Sequence, residues 1–111
     1  MSAGDRTEKR LGGPTQLGTS TTTLFTVPAS HTYVVKQIVI ANTDTVDRLV
    51  TLSIGTAATA ANHILSALPI GGNDIVVWDT ALVLEAAETL QGLSDTASKV
   101  NVTLVGWDKE N

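Results

Sequence analysis

The segment from Leu24 to Thr43, LFTVPASHTYVVKQIVIANT, constrains the fold of this chain more than any other. Pro28 has no backbone N–H, so it ends the strand before it, and the polar residues that follow it form a turn. Lys36 and Gln37 are the only polar residues in the apolar stretch 33–41. Such continuous apolarity is typical of a strand covered on both faces. We therefore expect two strands, the second with one face on a core and the other against a loop or another subunit.

Further short strands separated by turn signals follow along the chain. The predicted strands are 21–27, 33–41, 49–54, 63–70, 75–78, 81–84, 89–93 and 99–107. Pro69 places its strand at the edge of a sheet, and Gly71-Gly72 marks a turn because glycine adopts positive φ without strain. Strands spaced roughly ten residues apart, with no helical period, indicate an all-β chain. We expect a single jelly-roll-like antiparallel β-sandwich of about eight strands, in an order that the pattern leaves open.

The 111 residues are enough for one domain with its own core. Residues 1–18 are charged at the start and then glycine-rich, without apolar periodicity. This composition predicts an N-terminal arm that is either disordered or extended across a neighbouring subunit. Residues 19–107 are assigned to the sandwich and residues 108–111 to a solvated tail.

Composition excludes several classes of function. The net charge is −4 and the basic residues are not clustered, which argues against nucleic-acid binding. No apolar run approaches the ~20 residues of a membrane helix. The chain has no cysteine, which excludes disulfides, zinc–thiolate sites and thiol catalysis. The N-terminus lacks the apolar core of a signal peptide, so synthesis in a cytoplasm is expected.

The candidate catalytic and metal-binding residues do not form a recognisable site in the sequence. His31 and His63 are not accompanied by a G-x-S-x-G nucleophile motif. Glu85 and Glu88 stand three residues apart at a turn, where carboxylates point into solvent. The polar segment 42–47 lacks the ligand spacing, central glycine and final glutamate of a calcium loop. We predict no catalytic residue, no cofactor and no metal, and therefore no enzyme.

Trp78 and Trp107 are each followed by aspartate, which places both at points where a strand meets the surface. Three roles are open to them: capping the core, anchoring a protein–protein contact, or stacking on a sugar ring. The chain has only four aromatic residues, two of them these tryptophans, which argues against a sugar platform with several stacking sites.

Leu24–Ala29, a short turn and the strand 33–42 together resemble a pattern of small virion proteins of tailed bacteriophages. The resemblance continues through the alternating strand 50–54, Gly71-Gly72, a corner at Val83–Glu88 and a final strand 100–106. It covers about residues 17–107. The chain departs from the pattern at two turns. His31-Thr32 stands where Gly-Lys is frequent, and Ala87-Glu88 replaces Gly-Asp.

The resemblance implies a non-enzymatic structural protein of the virion, made in the bacterial host cytoplasm. We expect a homotrimer that decorates and stabilises the capsid, with the major capsid protein or tail proteins as partners and with no nucleic acid or membrane. The alternatives are a tail or baseplate accessory protein of the same fold and a carbohydrate or cell-surface binding module. The residues predicted to form the interface are Arg10, Leu11, Leu17, Tyr33, Ile38, Val39, Trp78 and Trp107.

Overall fold

Eight strands build the fold. A computed structural model describes residues 6–55 and 62–110. The strands are β1 (Arg6–Gln16), β2 (Thr22–Thr26), β3 (His31–Asn42), β4 (Arg48–Gly55), β5 (His63–Ile70), β6 (Ile75–Leu84), β7 (Thr89–Ser94) and β8 (Val100–Glu110). Within this part of the chain there is no helix long and apolar enough to cross a membrane.

The strands form two four-stranded antiparallel sheets. The front sheet has the order β1-β8-β3-β6 and the back sheet the order β2-β7-β4-β5. The first strand thus pairs with the last, the second with the seventh, the third with the sixth and the fourth with the fifth. This is the arrangement of a chain folded back on itself and wrapped into two sheets, the jelly roll. The predicted fold class is confirmed, and the structure adds the strand order.

The core lies between the two sheets and is filled by aliphatic side chains. On β8, Val100, Val102 and Leu104 are fully buried while the alternate residues are half-exposed, as the period of two requires. Phe25 and Tyr33 add a pair of aromatic rings, with centroids 5.2 Å apart. No buried side-chain nitrogen or oxygen in the described ranges lacks a hydrogen-bond partner.

Strand β3 lies in the middle of the front sheet, between β8 and β6. Ile38 and Ile40 are fully buried against the back sheet. Val39 points the other way and is half-buried. The prediction that β3 has one face on the core is therefore correct, whereas its other face is open within a single chain.

The N-terminal segment differs from the prediction of an arm outside the domain. Residues 6–16 form β1, which pairs with β8 from Arg6 opposite Lys109 to Gln16 opposite Asn101. Leu11 and Leu17 are buried in the core. The strand lacks a clear alternation because two register shifts fall at its Gly-Gly-Pro sequence. Residues 1–5 of the predicted arm lie outside the described residues.

The C-terminal boundary also differs from the prediction of a solvated tail over 108–111. Strand β8 runs on to Glu110, and Asp108 is 5% exposed. The charged residues at this end of the chain predicted a tail because sequence periodicity cannot detect that Asp108 is buried together with cationic partners. Asn111 lies outside the described residues.

Strand β6 is continuous, although its sequence predicts two strands separated at Asp79-Thr80. Its residues alternate between exposed and half-buried positions without a slip. The carboxylate of Asp79 lies on the exposed side and accepts a hydrogen bond from Nε2 of Gln37 at 3.0 Å. A sheet edge with one solvated face tolerates such a residue. The edge position predicted for the Pro69 strand is confirmed, since β5 ends the back sheet.

Candidate interaction surface

Among the described strands, the large apolar side chains with the greatest exposed fraction lie on the outer side of the front sheet. Ile75, Val77 and Val83 of β6 are 58%, 55% and 55% exposed. They point away from the core because the alternate residues of the same strand, such as Trp78 and Leu82, pack against it. Apolar surface of this kind on a folded chain marks sites of interaction with other molecules.

The apolar surface extends from β6 onto β3. Ile75, Val77 and Val83 lie opposite Ala41, Val39 and Val34 in the strand pairing. We call the outward positions of these two strands the β3–β6 face. It comprises Val34, Lys36, Gln37, Val39, Ala41, Ile75, Val77, Asp79, Ala81 and Val83. Seven of these ten residues are aliphatic.

The β3–β6 face contains one cation and one anion. Lys36 is exposed, and its Nζ lies 5.4 Å from the centroid of the Trp107 ring on β8, a cation–π contact. Asp79 is exposed on β6 and lies opposite Gln37, the residue next to Lys36. Lys36 and Asp79 are therefore the two charged residues near the middle of an otherwise uncharged face.

The outer side of the back sheet has a different chemistry. Its β4 and β7 positions pair as Thr51 with Leu93, Ser53 with Gln91 and Gly55 with Thr89. The Thr89 hydroxyl donates to the Gly55 carbonyl at 2.8 Å, and the Gln91 amide donates to the Thr89 hydroxyl at 2.7 Å. Leu49, 41% exposed, is its large exposed apolar residue. The β3–β6 face is thus mainly apolar, whereas these β4 and β7 positions of the back sheet are mainly polar.

An apolar groove lies beside the β3–β6 face, between edge strands β5 and β6. It has a volume of about 250 Å³ and is lined by Leu65 and Leu68 on one side and by Val76, Val77 and Trp78 on the other. Val77 belongs to both the groove and the face. The exposed apolar surface therefore continues around the edge of the front sheet.

Half of the residues predicted to form an interface lie in the protein's own core. These are Leu11, Leu17, Tyr33 and Ile38. Their side chains fill the space between the sheets and have almost no surface to offer a partner, so their prediction as contact residues is wrong for the folded chain. The sequence placed Tyr33 and Ile38 on an apolar strand and Leu11 and Leu17 in the N-terminal arm. Apolar character by itself does not distinguish a core residue from an interface residue.

The other four predicted interface residues are nearer to the surface. Arg10 is exposed on β1, and Val39 lies on the β3–β6 face. Trp107 is on the same outer side of the front sheet, and Trp78 lines the groove. Their role in an interface stays a prediction. The exposed residues of β6 were missed, although the sequence IVVWDTALVL is apolar at both sets of alternate positions, as β3 is.

The two tryptophans do not share a surface. Trp78 points inward from β6 and packs against the core, whereas Trp107 lies on the outward side of β8 under Lys36. A sugar platform needs aromatic faces on one side of a sheet. The geometry therefore offers no joint sugar-stacking site from this pair.

A buried carboxylate joins three strands at one end of the front sheet. Oδ1 of Asp108 is 2.6 Å from Nδ1 of His31, and Oδ2 is 3.1 Å from Nζ of Lys9. Burial by itself raises the pKa of Asp108, but the hydrogen bonds from His31 and Lys9 outweigh it and hold that pKa below its usual value. The arrangement is that of a structural ion pair linking β1, β3 and β8.

The other acidic candidates serve local turns. The Glu88 carboxylate accepts a hydrogen bond from the backbone N–H of Glu85 at 2.7 Å and so closes the β6–β7 turn. Asp44 pairs with Nη2 of Arg48 at 2.7 Å, and hydrogen bonds from Arg48 and the Thr45 backbone lower the pKa of Asp44. In residues 6–55 and 62–110, no group of three or more histidine, cysteine or acidic residues could hold a metal ion.

No protein-family model matches the sequence, and no curated protein matches it. The fold, however, is similar to solved structures. A protein of the infectious bursal disease virus particle superposes with a TM-score of 0.61 and 8% identity, over 98% of this chain and 32% of the viral protein. This chain thus spans about a third of that protein.

Two further neighbours come from cellular organisms. A Bacillus endospore appendage protein, from a family of disulfide-linked pili, has a TM-score of 0.57 and 8% identity, over 98% of this chain and 91% of its own. The Drosophila NLP core, described for pentamer formation and histone binding, has a TM-score of 0.55 and 11% identity, over 92% and 99%. At these identities the likeness concerns the fold.

Proposed function

We propose that this chain is a non-enzymatic structural protein of a virus particle that assembles with copies of itself. The observation that carries the proposal is the jelly-roll strand order, β1-β8-β3-β6 facing β2-β7-β4-β5, in a fold similar to a protein of a viral particle. The jelly roll is an architecture of viral capsid proteins, and also of lectins and cupins.

The surface chemistry favours the structural role over that of a lectin. A lectin site needs polar groups and aromatic faces converging on a sugar, whereas the two tryptophans lie on opposite sides of the front sheet. The exposed aliphatic residues of β6 suit burial against another protein. Each of the three neighbours described above belongs to an assembly: a particle, a pilus or a pentamer.

The finer proposal is a protein of a tailed bacteriophage that decorates and stabilises the capsid as a homotrimer. It rests on the resemblance carried by residues 17–107. Its partners are then the major capsid protein and its own copies. Placement on the tail or baseplate is the alternative for the same fold.

Purified virus particles from the host that carries the gene test the proposal. Quantitative mass spectrometry and immunogold labelling should find the protein at a fixed number of copies per particle, on the head if it decorates the capsid. A protein confined to the soluble lysate and absent from particles would overturn the proposal. Light scattering of the pure protein should give three times 11.6 kDa for a trimer. Glycan-array binding that is lost in Trp78→Ala or Trp107→Ala would favour a carbohydrate-binding module instead.

A further inference from the structure

We infer that the β3–β6 face is a contact between two copies of this chain related by a twofold axis, in which Lys36 of each copy faces Asp79 of the other. The inference rests on the proposed self-assembly and specifies the surface that performs it. The contact joins either two single chains into a dimer or two of the trimers proposed above into a hexamer.

The first argument is the uneven distribution of apolar surface. Of the large apolar residues exposed on the described strands, Ile75, Val77 and Val83 are on the β3–β6 face and Leu49 is on the back sheet. Val34, Val39 and Ala41 extend the face across β3. Since burial of apolar area drives protein association, this is the side of the sandwich that gains most from being covered.

The second argument is charge complementarity. A twofold contact brings each residue i against residue j of the other copy and j against i. A face with one cation and one anion is self-complementary in such a contact, because Lys36 and Asp79 form two identical opposite-charge pairs. This matters for a chain of net charge −4, whose copies otherwise repel each other. A face that had evolved for an acidic or basic partner would carry charge of one sign.

The third argument is geometric. Two sheets pack face to face about 10 Å apart with their strands within about 30° of each other, and small branched side chains interdigitate between them. Valine, isoleucine and alanine make up most of the β3–β6 face. With strands about 4.8 Å apart and a rise of about 3.3 Å per residue, the ten residues of β6 and their β3 neighbours cover on the order of 300–500 Å² per copy.

That area predicts a weak contact. Stable complexes bury about 800 Å² per partner, so this face by itself supports association that depends on concentration. In a particle, many such contacts act together and their combined strength exceeds that of one. The contact thus suits a protein that stays dispersed when dilute and associates when copies are brought together.

Sedimentation equilibrium of the full chain from about 10 µM to about 1 mM tests the contact, since micromolar to millimolar affinities lie in this range. The wild type should double its mass over the range. Asp79→Lys places cations against cations and should weaken the doubling at least about tenfold. It also brings the net charge closer to zero, so a general reduction of the repulsion between copies would strengthen the association instead of weakening it. Lys36→Asp/Asp79→Lys restores the opposite pairs at the original net charge and should restore the affinity to within about threefold.

A second pair of variants tests the apolar part of the face. Val77→Asp should abolish the doubling, whereas Leu49→Asp, the same kind of change on the back sheet, should leave it intact. Circular dichroism and the urea midpoint of each variant verify that it is folded.

Three results would overturn the inference. The first is a wild type that does not double up to 1 mM. The second is an association that Asp79→Lys and Val77→Asp leave unchanged, in which case self-assembly stands but uses another surface. The third is a double variant that stays as weak as Asp79→Lys. None of these affects the test of the proposed function, which is the presence of the protein in purified particles.

Discussion

Nδ1 of His31 lies 2.6 Å from Oδ1 of Asp108, across 77 residues of sequence. The other carboxylate oxygen of Asp108 binds Lys9 of β1. One acidic group on the last strand, β8, therefore connects the first strand, β1, to the first residue of β3. The Asp108 side chain is 6% exposed. A carboxylate this buried is stable only because both of its oxygens have partners.

The first prediction concerns this carboxylate and pH. The pKa of Asp108 in the folded chain is below its ordinary 3.8, so its contribution to stability is present above about pH 4 and is lost as the pH falls through the folded value. Asp108→Asn removes hydrogen bonds to a charged group and should lower the free energy of unfolding at pH 7 by about 2 kcal/mol.

Urea denaturation from pH 7 to pH 2.5 measures this effect. The difference between the wild type and Asp108→Asn should be largest at neutral pH and should shrink below pH 4, because the wild-type carboxylate is then protonated as well. Asp79→Asn, at an exposed carboxylate, should differ little from the wild type at any pH. A difference for Asp108→Asn that is constant across the range would contradict the assignment.

The second prediction concerns Asn42, a buried side chain that joins two loops at one end of the sandwich. Its Nδ2 lies 2.9, 3.0 and 3.2 Å from the carbonyl oxygens of Val46, Ile70 and Gly71, and its Oδ1 accepts from the backbone N–H of Asp44. Asn42→Asp keeps the shape but replaces the donor by an acceptor, so buried oxygens then face each other.

We expect Asn42→Asp to cost about 3 kcal/mol or more in the free energy of unfolding at pH 7, since it leaves buried carbonyls without a donor and adds a buried charge. Denaturant midpoints at an unchanged m-value provide the measurement. Thr43→Ala, which removes one exposed hydroxyl bond to the Lys99 carbonyl, is the control and should cost less than about 1.5 kcal/mol. Equal costs for the two variants would show that Asn42 does not hold the loops.

The third prediction concerns Gly106, which leaves room for the register shift of β3. A Cβ atom at this position would overlap the carbonyl oxygen of Val34 and lie 3.0 Å from the backbone nitrogen of Lys36. Backbone atoms cannot move aside without disturbing the pairing of β3 with β8. Gly106→Ala should therefore destabilise the fold by about 3 kcal/mol or more.

Gly18→Ala is the matched control for Gly106, because a Cβ there has no neighbour within 4 Å. Its stability should stay within about 0.5 kcal/mol of the wild type. Thermal unfolding of the two variants side by side gives the comparison. An unchanged melting temperature for Gly106→Ala would contradict the close approach of β3 and β8 at this position.

The fourth prediction concerns β1. Removal of residues 1–17 takes away Leu11 and Leu17 from the core and leaves β8 as an unpaired edge. We expect a truncated chain that aggregates or melts at a much lower temperature, whereas Arg10→Ala, at an exposed position of the same strand, keeps the wild-type melting temperature. A truncated chain that stays soluble with an unchanged melting temperature would mean that the segment is dispensable for folding.

Local sequence patterns were sufficient for most of the strands. The apolar stretch that became β3, the proline that marks β5 as an edge and the alternation of β8 each report on the burial of neighbouring residues. The period of a strand is a property of a few consecutive residues, so a sequence reveals it directly. The same reasoning extends to the class of the fold, since many short strands without helices leave a sandwich or a barrel.

Local patterns failed where a segment depends on a distant partner. Strand β1 has glycines, a proline and charges that predict an arm. It becomes a strand because it pairs with β8, whose residues lie 85 to 103 positions further along the chain, from Gln16 opposite Asn101 to Arg6 opposite Lys109. The sequence predicts that Asp108 belongs to a solvated tail. In the structure it is buried because the fold places His31 and Lys9 next to its carboxylate. Asp79 predicts a turn in the sequence, but in the structure it lies within β6 because its side chain is on the solvent-exposed side of the sheet.

The sequence by itself determined that this chain is a single all-β sandwich with an aliphatic core, because alternation and turn residues act over short distances. Only the tertiary structure decided the jelly-roll order, which depends on pairings between strands far apart in the chain. It also decided which apolar residues are core and which are surface. Ile38 and Val77 look alike in sequence, yet one is buried between the sheets and the other is 55% exposed, because burial depends on what the rest of the chain places opposite each strand.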